Sequence, residues 1–243
     1  MVRMLVVALV VATLVWAATE GRRRWLIHQL RVVADRHGYT AEPGRRPLPR
    51  RFDIRGSAHG SVADLVLIEP RTGSMAFRHR YWSGRSGGQR QTHEHLHVLV
   101  PLPFNAPHVV LRRPTVANRL GHKLGLGDTE IADHDLTRRF GLVDVEVGNE
   151  IFDRAFQVST DDERFVRRLA GGQTGVELAR RNEFNGMALR FEFFGPWLLV
   201  SGPDHTVEDA ALLLDWMQRL PVLFPGDLPE SYPAPADRVD PWG

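Results

Sequence analysis

The 243-residue chain has no cysteine, which excludes disulfides and all thiolate chemistry. That absence alone does not assign a redox compartment. Lysine is almost missing too: Lys123 is the single one, and the other basic side chains are arginines. A genome rich in G and C produces such a bias, so it is not read as phosphate recognition. Several catalytic signatures are also missing. Ser57, Ser61 and Ser83 sit near glycines but not in a Gly-x-Ser-x-Gly elbow. "LGHKLGLGD" at 120–128 lacks the spacing and the Lys-Ser/Thr ending of a phosphate loop. No dinucleotide fingerprint and no fixed-period repeat is present.

The charge is unevenly spread. Residues 1–55 carry 11 Arg against 4 acids, a net of +7. The remainder carries 20 basic residues against 25 acids, a net of −5. The basicity is therefore local, which suits a membrane surface better than a nucleic-acid groove. No nucleic-acid partner is expected.

The basic residues flank an apolar run. "MLVVALVVATLVWAAT" at 4–19 holds 16 uncharged residues. As a helix it is roughly 24 Å long, short against a hydrocarbon core of about 30 Å. Arg3 and Arg22 can snorkel to close the difference. The lipid bilayer is thus the expected partner of residues 4–19. Arg22, Arg23 and Arg24 follow the run, and the positive-inside rule places what comes after in the cytoplasm. The expectation is a single-pass inner-membrane protein. The alternative is export by a cleaved signal peptide, since Val15-Trp16-Ala17 resembles a cleavage site.

After the arginines, "WLIHQLRVVADRH" at 25–37 places Leu26, Leu30 and Val33 on one helical face, with Gly38 as its stop. "EPGRRPLPR" at 42–50 reads as a linker. Strands are expected at 62–69, 74–82, 91–100, 108–112, 144–147 and 155–159. Gly195-Pro196 is expected to turn a tight hairpin between 187–194 and 197–201. Short helices are expected at 115–123 and 175–181. A further helix is expected to follow a capping box of Thr160 and Glu163, and another at 207–220 to follow one of Thr206 and Asp209. Residues 226–243, rich in proline and acid, read as a disordered tail.

These elements give an α+β class: an N-terminal transmembrane helix, then a soluble module of antiparallel hairpins with interspersed helices. The division is 1–24 anchor and basic junction, 25–51 juxtamembrane helix and linker, 52–225 soluble domain of one or two lobes, and 226–243 tail. Phe77, Tyr81, Trp82, Phe191, Phe193 and Trp197 alternate in strands and are expected as packing groups.

One stretch suggests chemistry. "HEHLH" at 93–97 fits His-Glu-x-x-His, which on a helix would bind zinc with Glu94 as general base. Gly87-Gly88 before it, Pro101 and Pro103 after it, and the following "VLV" favour a strand instead. A strand sends Glu94 to the face opposite His93, His95 and His97, which removes the protease mechanism. Two alternatives remain. The favoured one is an outward, solvated row of neutral histidines with no cofactor. The other is a zinc site of His93, His95 and His97 with His79 from a neighbouring strand, or with Asp133, His134 or Asp135.

Several phrases together resemble a family. They are "GRRRW" at 21–25, "DRHGYT" at 35–40, "LVPLP" at 99–103, "EIFDRAFQVSTDDERFVRRL" at 150–169 and "LRFEFFGPWLLVSG" at 189–202. The chain resembles a group of uncharacterised, actinobacterial-type membrane-anchored proteins. Phe152, Phe156, Val158 and Asp161 match a phrase of that group, with Asp153 in place of its usual asparagine. The resemblance implies the anchor and the α+β module. It supplies no catalytic residue. Phe152 and Phe156 are expected as core anchors and Asp161 in the first turn of a helix. The functional expectation is a membrane-anchored cytoplasmic binding or scaffolding module without catalysis, with an unidentified membrane or cytoplasmic protein as partner. A metal-dependent enzyme or metal sensor built on the histidine row is the alternative.

Overall fold

Prolines 101, 103 and 107 break the alternation between 91 and 112, yet this whole stretch is one strand in the computed structural model. The structure describes residues 2–44, 46–49, 52, 54, 62–84, 90–114, 140–184, 186–203 and 206–235. In chain order the elements begin with α1 (Val2–His37), β1 (Thr40–Glu42), β2 (Arg46–Pro47), β3 (Val62–Ile68), β4 (Met75–Gly84) and β5 (Arg90–Arg112). Next come β6 (Val143–Val145), α2 (Glu150–Ala155), β7 (Gln157–Thr160), α3 (Glu163–Gly171) and α4 (Gln173–Arg180). The chain continues with β8 (Glu183–Phe184), β9 (Met187–Ala188), β10 (Arg190–Pro203), α5 (Val207–Arg219) and α6 (Leu228–Ser231). The helix expected at 115–123 lies outside the described residues.

An eight-stranded sheet runs β1-β3-β4-β5-β7-β6, with β10 on the other edge of β5 and β2 on β3. Every pairing is antiparallel, as the α+β reading requires. β5 and β10 form its spine. Phe191–Phe193 pair with Val109–Leu111, and Trp197–Pro203 pair with His95–Pro101. The expected hairpin at Gly195-Pro196 is therefore absent: both of its arms bond to β5 instead of to each other. Gly195, at φ +58, sits in a bulge where the register slips. Glycine takes that conformation without a Cβ penalty.

The bulge also explains the proline-rich part of β5. Between Pro101 and Ala106 β5 carries extra residues against β10, so prolines cost no ladder bonds there. Facing keeps its parity through it and changes only at the second slip, between Ala106 and Val109. Leu96, Val98, Val100, Leu102, Phe104 and Ala106 enter the main core before the slip, and Val109 and Leu111 after it. A residue count of two cannot follow such a strand, which is why the sequence reads as two short ones.

The bulge anchors the C-terminal segment, correcting the expected disorder of residues 226–235. The backbone N–H of Asn105 donates to the Tyr232 carbonyl at 2.9 Å, and Phe104 bridges to Pro233. Leu228 is fully buried, and Tyr232 donates from its hydroxyl to Asp162 at 2.7 Å. Burial, and then the Asp162 carboxylate, push the Tyr232 phenol up to about 12. Residues 236–243 lie outside the described set.

Local signals succeed where the chain itself supplies the partner. Thr206 and Asp209 form the expected capping box on α5. The other box does not form: Asp162 caps α3, accepting from Arg164 and Phe165, while Thr160 takes the Asp162 N–H. Asp161 precedes the cap and bonds His108, so it is not in the first helical turn. Phe152 and Phe156 are core residues, as are Phe77, Phe191, Phe193 and Trp197.

The first two expected helices are one. α1 runs unbroken for 36 residues. Leu30, Val33 and Ala34 enter the main core beside α5. Its end is tied down by Arg36 to Glu208 at 3.0 Å, by His37 Nδ1 to Asp215 at 2.8 Å, and by the Tyr39 hydroxyl to Asp215. Among the described residues no helix is long and apolar enough to cross a membrane. The anchor expected over 4–19 falls largely on side chains outside that set.

Two substitutions test this account. Leu30→Ala is expected to cost about 2–5 kcal/mol in urea unfolding of the full chain; under 1 kcal/mol would mean that α1 does not dock. Thr206→Ala is expected to cost about 1 kcal/mol through loss of the cap.

Candidate functional site

The histidine row lies on β5 as a strand. Glu94 is on the opposite face, 2.6 Å from Arg80 and 3.6 Å from Arg78. The protease geometry is therefore absent. His93, His95 and His97 share their face with Tyr81, His79 and Phe77, their respective register partners on β4. His79 thus stands beside the row.

The rings stack and do not converge. Phe77 lies on His97 with centroids 5.2 Å apart, His79 on Tyr81 at 5.2 Å and Tyr81 on His93 at 5.1 Å. Tyr81 also stacks on His95 at 5.6 Å, with planes 15° apart. Near-parallel rings at this spacing present faces to one another, whereas a zinc ion needs ring nitrogens aimed at one point about 2 Å away. Among the described residues, no three His, Asp or Glu side chains are grouped so as to hold a metal ion. Asp133, His134 and Asp135 lie outside the described residues.

The row is less outward than expected. His93 and His95 are partly exposed, but His97 is only 3% exposed and His79 is fully buried. The row continues a second core on this face, made by Leu48, Phe52, Ile54, Ala63, Val66, Met75, Phe77, Leu99, Trp197 and Leu199. His97 Nδ1 shares a 2.8 Å hydrogen bond with Ser201 Oγ. Its Nε2 is buried with no hydrogen-bond partner among the described residues. A neutral ring with Nδ1–H donating to Ser201 suits this setting, because a second buried N–H would lack an acceptor. Burial first, then the neighbouring His79 and His95, hold the His97 pKa well below its ordinary value.

The sequence reading missed a second polar cluster on the same side of the sheet. His108 Nε2 lies 2.9 Å from Glu192, whose other oxygen accepts from Arg190 at 3.1 Å. Glu192 is 2% exposed. Phe140 and Phe194 close edge-on over His108, at 4.8 and 4.9 Å. Nearby, Asp144 accepts from Gln157 at 2.7 Å and from Ser159, and pairs with Arg112 at 3.5 Å. Glu192 did carry a signal: a carboxylate between Phe191 and Phe193 in an apolar strand must face away from the main core. Its partner is 84 residues away in sequence and carries none.

A cleft of about 460 Å³ lies between α1, α5 and the sheet. Trp25, Leu26, Gln29 and Val33 of α1 form one wall, and Thr206, Val207, Glu208 and Ala210 at the start of α5 form another. Leu65, Arg78 and Leu96 come from the sheet. Leu65 has φ 53, beside a register slip between Asp64 and Leu67. A leucine in that region is strained. The cleft is mostly apolar.

These features define an α+β module with its first helix docked and a cleft at the seam. No family model and no curated protein matches the chain. The crystal structure of the mycobacterial trehalose monomycolate transport factor A, TtfA, is similar at 14% identity. The match covers 83% of this chain and 97% of that one, with a TM-score of 0.49. A likeness this slight carries no argument about ligand or activity.

The buried His97 sets a pH dependence. Its folded-state pKa is depressed, so the unfolded chain binds the proton more readily. Stability from this group is present above the unfolded value near 6.5 and is lost as pH falls toward the folded one, by up to about 1.4 kcal/mol per pH unit. Urea unfolding between pH 7.5 and 5 is expected to be less pH-dependent in His97→Gln than in the wild type. Equal slopes would contradict a neutral buried ring.

Proposed function

We propose that the protein is a membrane-anchored binding or scaffolding module without catalysis. Residues 4–19 enter the bilayer and the α+β domain lies on the cytoplasmic side. The observation that carries this reading is the continuity of α1. One helix of 36 residues, roughly 54 Å long, extends from the apolar run through Arg22–Arg24 into the main core. Leu30, Val33 and Ala34 fix its far end. A helix held this way would transmit the membrane's position to the domain without a flexible joint. The arginine run supports the cytoplasmic orientation. The stacked histidines favour packing over metal chemistry.

Full-length protein is expected in the membrane pellet, resisting alkaline carbonate extraction, with a C-terminal green fluorescent reporter that glows. A soluble protein whose N-terminus begins after Ala17 would overturn this in favour of a cleaved leader. Elemental analysis of the detergent-purified protein is expected to find no stoichiometric zinc. One zinc per chain, lost in His95→Ala, would replace the binding-module reading with the metal one.

A further inference from the structure

Most contacts that hold α1, at Leu30, Ala34 and the Arg36–Tyr39 turn, lie outside the cleft. At about 460 Å³ it is far larger than an ordinary packing defect and falls in the range of ligand pockets. We propose that it holds one aliphatic chain of an anionic membrane lipid, whose headgroup meets Arg22–Arg24. The proposal rests on the anchored reading for its source of lipid.

Position is the first argument. The α1 wall begins at Trp25, one residue after the arginine run, and ends at Val33. At 1.5 Å per residue, the cleft spans roughly the first 15 Å beyond a headgroup layer centred on the arginines. Leu26 of α1 and Val207 of α5 stand on the two helical walls of the cleft. Trp25 stands at the rim, 59% exposed, with an apolar body and one N–H. That is the side chain favoured where hydrocarbon meets polar headgroups.

Chemistry is the second. The apolar lining away from α1 is Leu65, Leu96, Val207 and Ala210. Its charged members are already engaged within the fold: Arg78 with Glu94, and Glu208 with Arg36 and His37. The occupant is therefore recognised by apolar contact inside and by charge only at the mouth. Arg22–Arg24, just before Trp25 on α1, supply a positive field set against a single acid, Glu20. A peptide strand would bring backbone N–H and C=O groups into a lining that offers few partners for them.

Leu65 points the same way. It is the one non-glycine residue with positive φ among those described, and the slip in β3 at this point sets its side chain against the cleft. A strand that only had to complete the sheet would not need that strain.

The test uses the full chain in vesicles of phosphatidylethanolamine and phosphatidylglycerol. The phosphatidylglycerol carries a diazirine at the end of one acyl chain, and cross-links are mapped by mass spectrometry. Labelling is expected on Leu65, Leu96, Val207 or Ala210 as well as on α1 before Arg22. Val207→Trp, which fills the cleft from a partly exposed position, is expected to reduce the domain labelling at least tenfold. It should leave the α1 labelling unchanged. Leu26→Trp, from the opposite wall, should do the same, so that misfolding of one variant does not decide the matter. Labelling confined to α1, or domain labelling unchanged in both variants, would overturn the proposal, as would a polypeptide cross-linked there in place of lipid. Lysophosphatidylglycerol with the same diazirine, used below its micelle concentration, separates the two readings. Cleft labelling by this probe in a protein that does not insert refutes the anchor alone. Insertion without cleft labelling by either probe refutes the cleft alone.

Discussion

The structure depends on the pairing of two long strands that bend together. β5 supplies one edge to β4 and β7 and the other to β10. A slip of register at Pro101–Ala106 against Gly195 lets both strands turn without losing the ladder on either side. Phe104, pushed inward at the slip, meets Phe224 at 5.1 Å and Phe165 at 5.8 Å. The same slip presents the Asn105 N–H to the C-terminal segment. The irregular stretch of β5 thus fills the core beside α3 and fastens the C-terminal segment.

What the sequence could reveal follows from how far apart the interacting groups are. Thr206 and Asp209 are three residues apart, so the motif alone suffices to mark the cap. Strand alternation placed Glu94 opposite the histidines because that is a property of one strand. The helical face of Leu26, Leu30 and Val33 was equally local. Gly195-Pro196 misled because a turn and a bulge use the same residues, and only the partner strand distinguishes them. Thr160 misled because Asp162, two residues later, is the better-placed acceptor. The union of His108 with Glu192, and of Leu65 with α1, depends on pairings that no local pattern contains.

The two faces of the sheet have separate tasks. The main-core face carries the helices and receives the end of α1. The other face shades from an apolar core into stacked histidines and a buried His108–Glu192–Arg190 cluster. In that cluster the charges are paired with one another, whereas the buried His97 Nε2 has no hydrogen-bond partner among the described residues. The cleft at the α1–α5 seam differs because its apolar lining faces open space. Its α1 wall begins at Trp25, directly after the arginine run.

The central claim is that α1 is one rigid element shared by the apolar run and the domain. Amide hydrogen exchange of the full chain in lipid nanodiscs tests it most directly. The account predicts protection that continues through residues 20–36 without a break and rises toward Leu30. Rapid exchange confined to residues 21–25 would show a hinge between the arginines and the domain, and would contradict it.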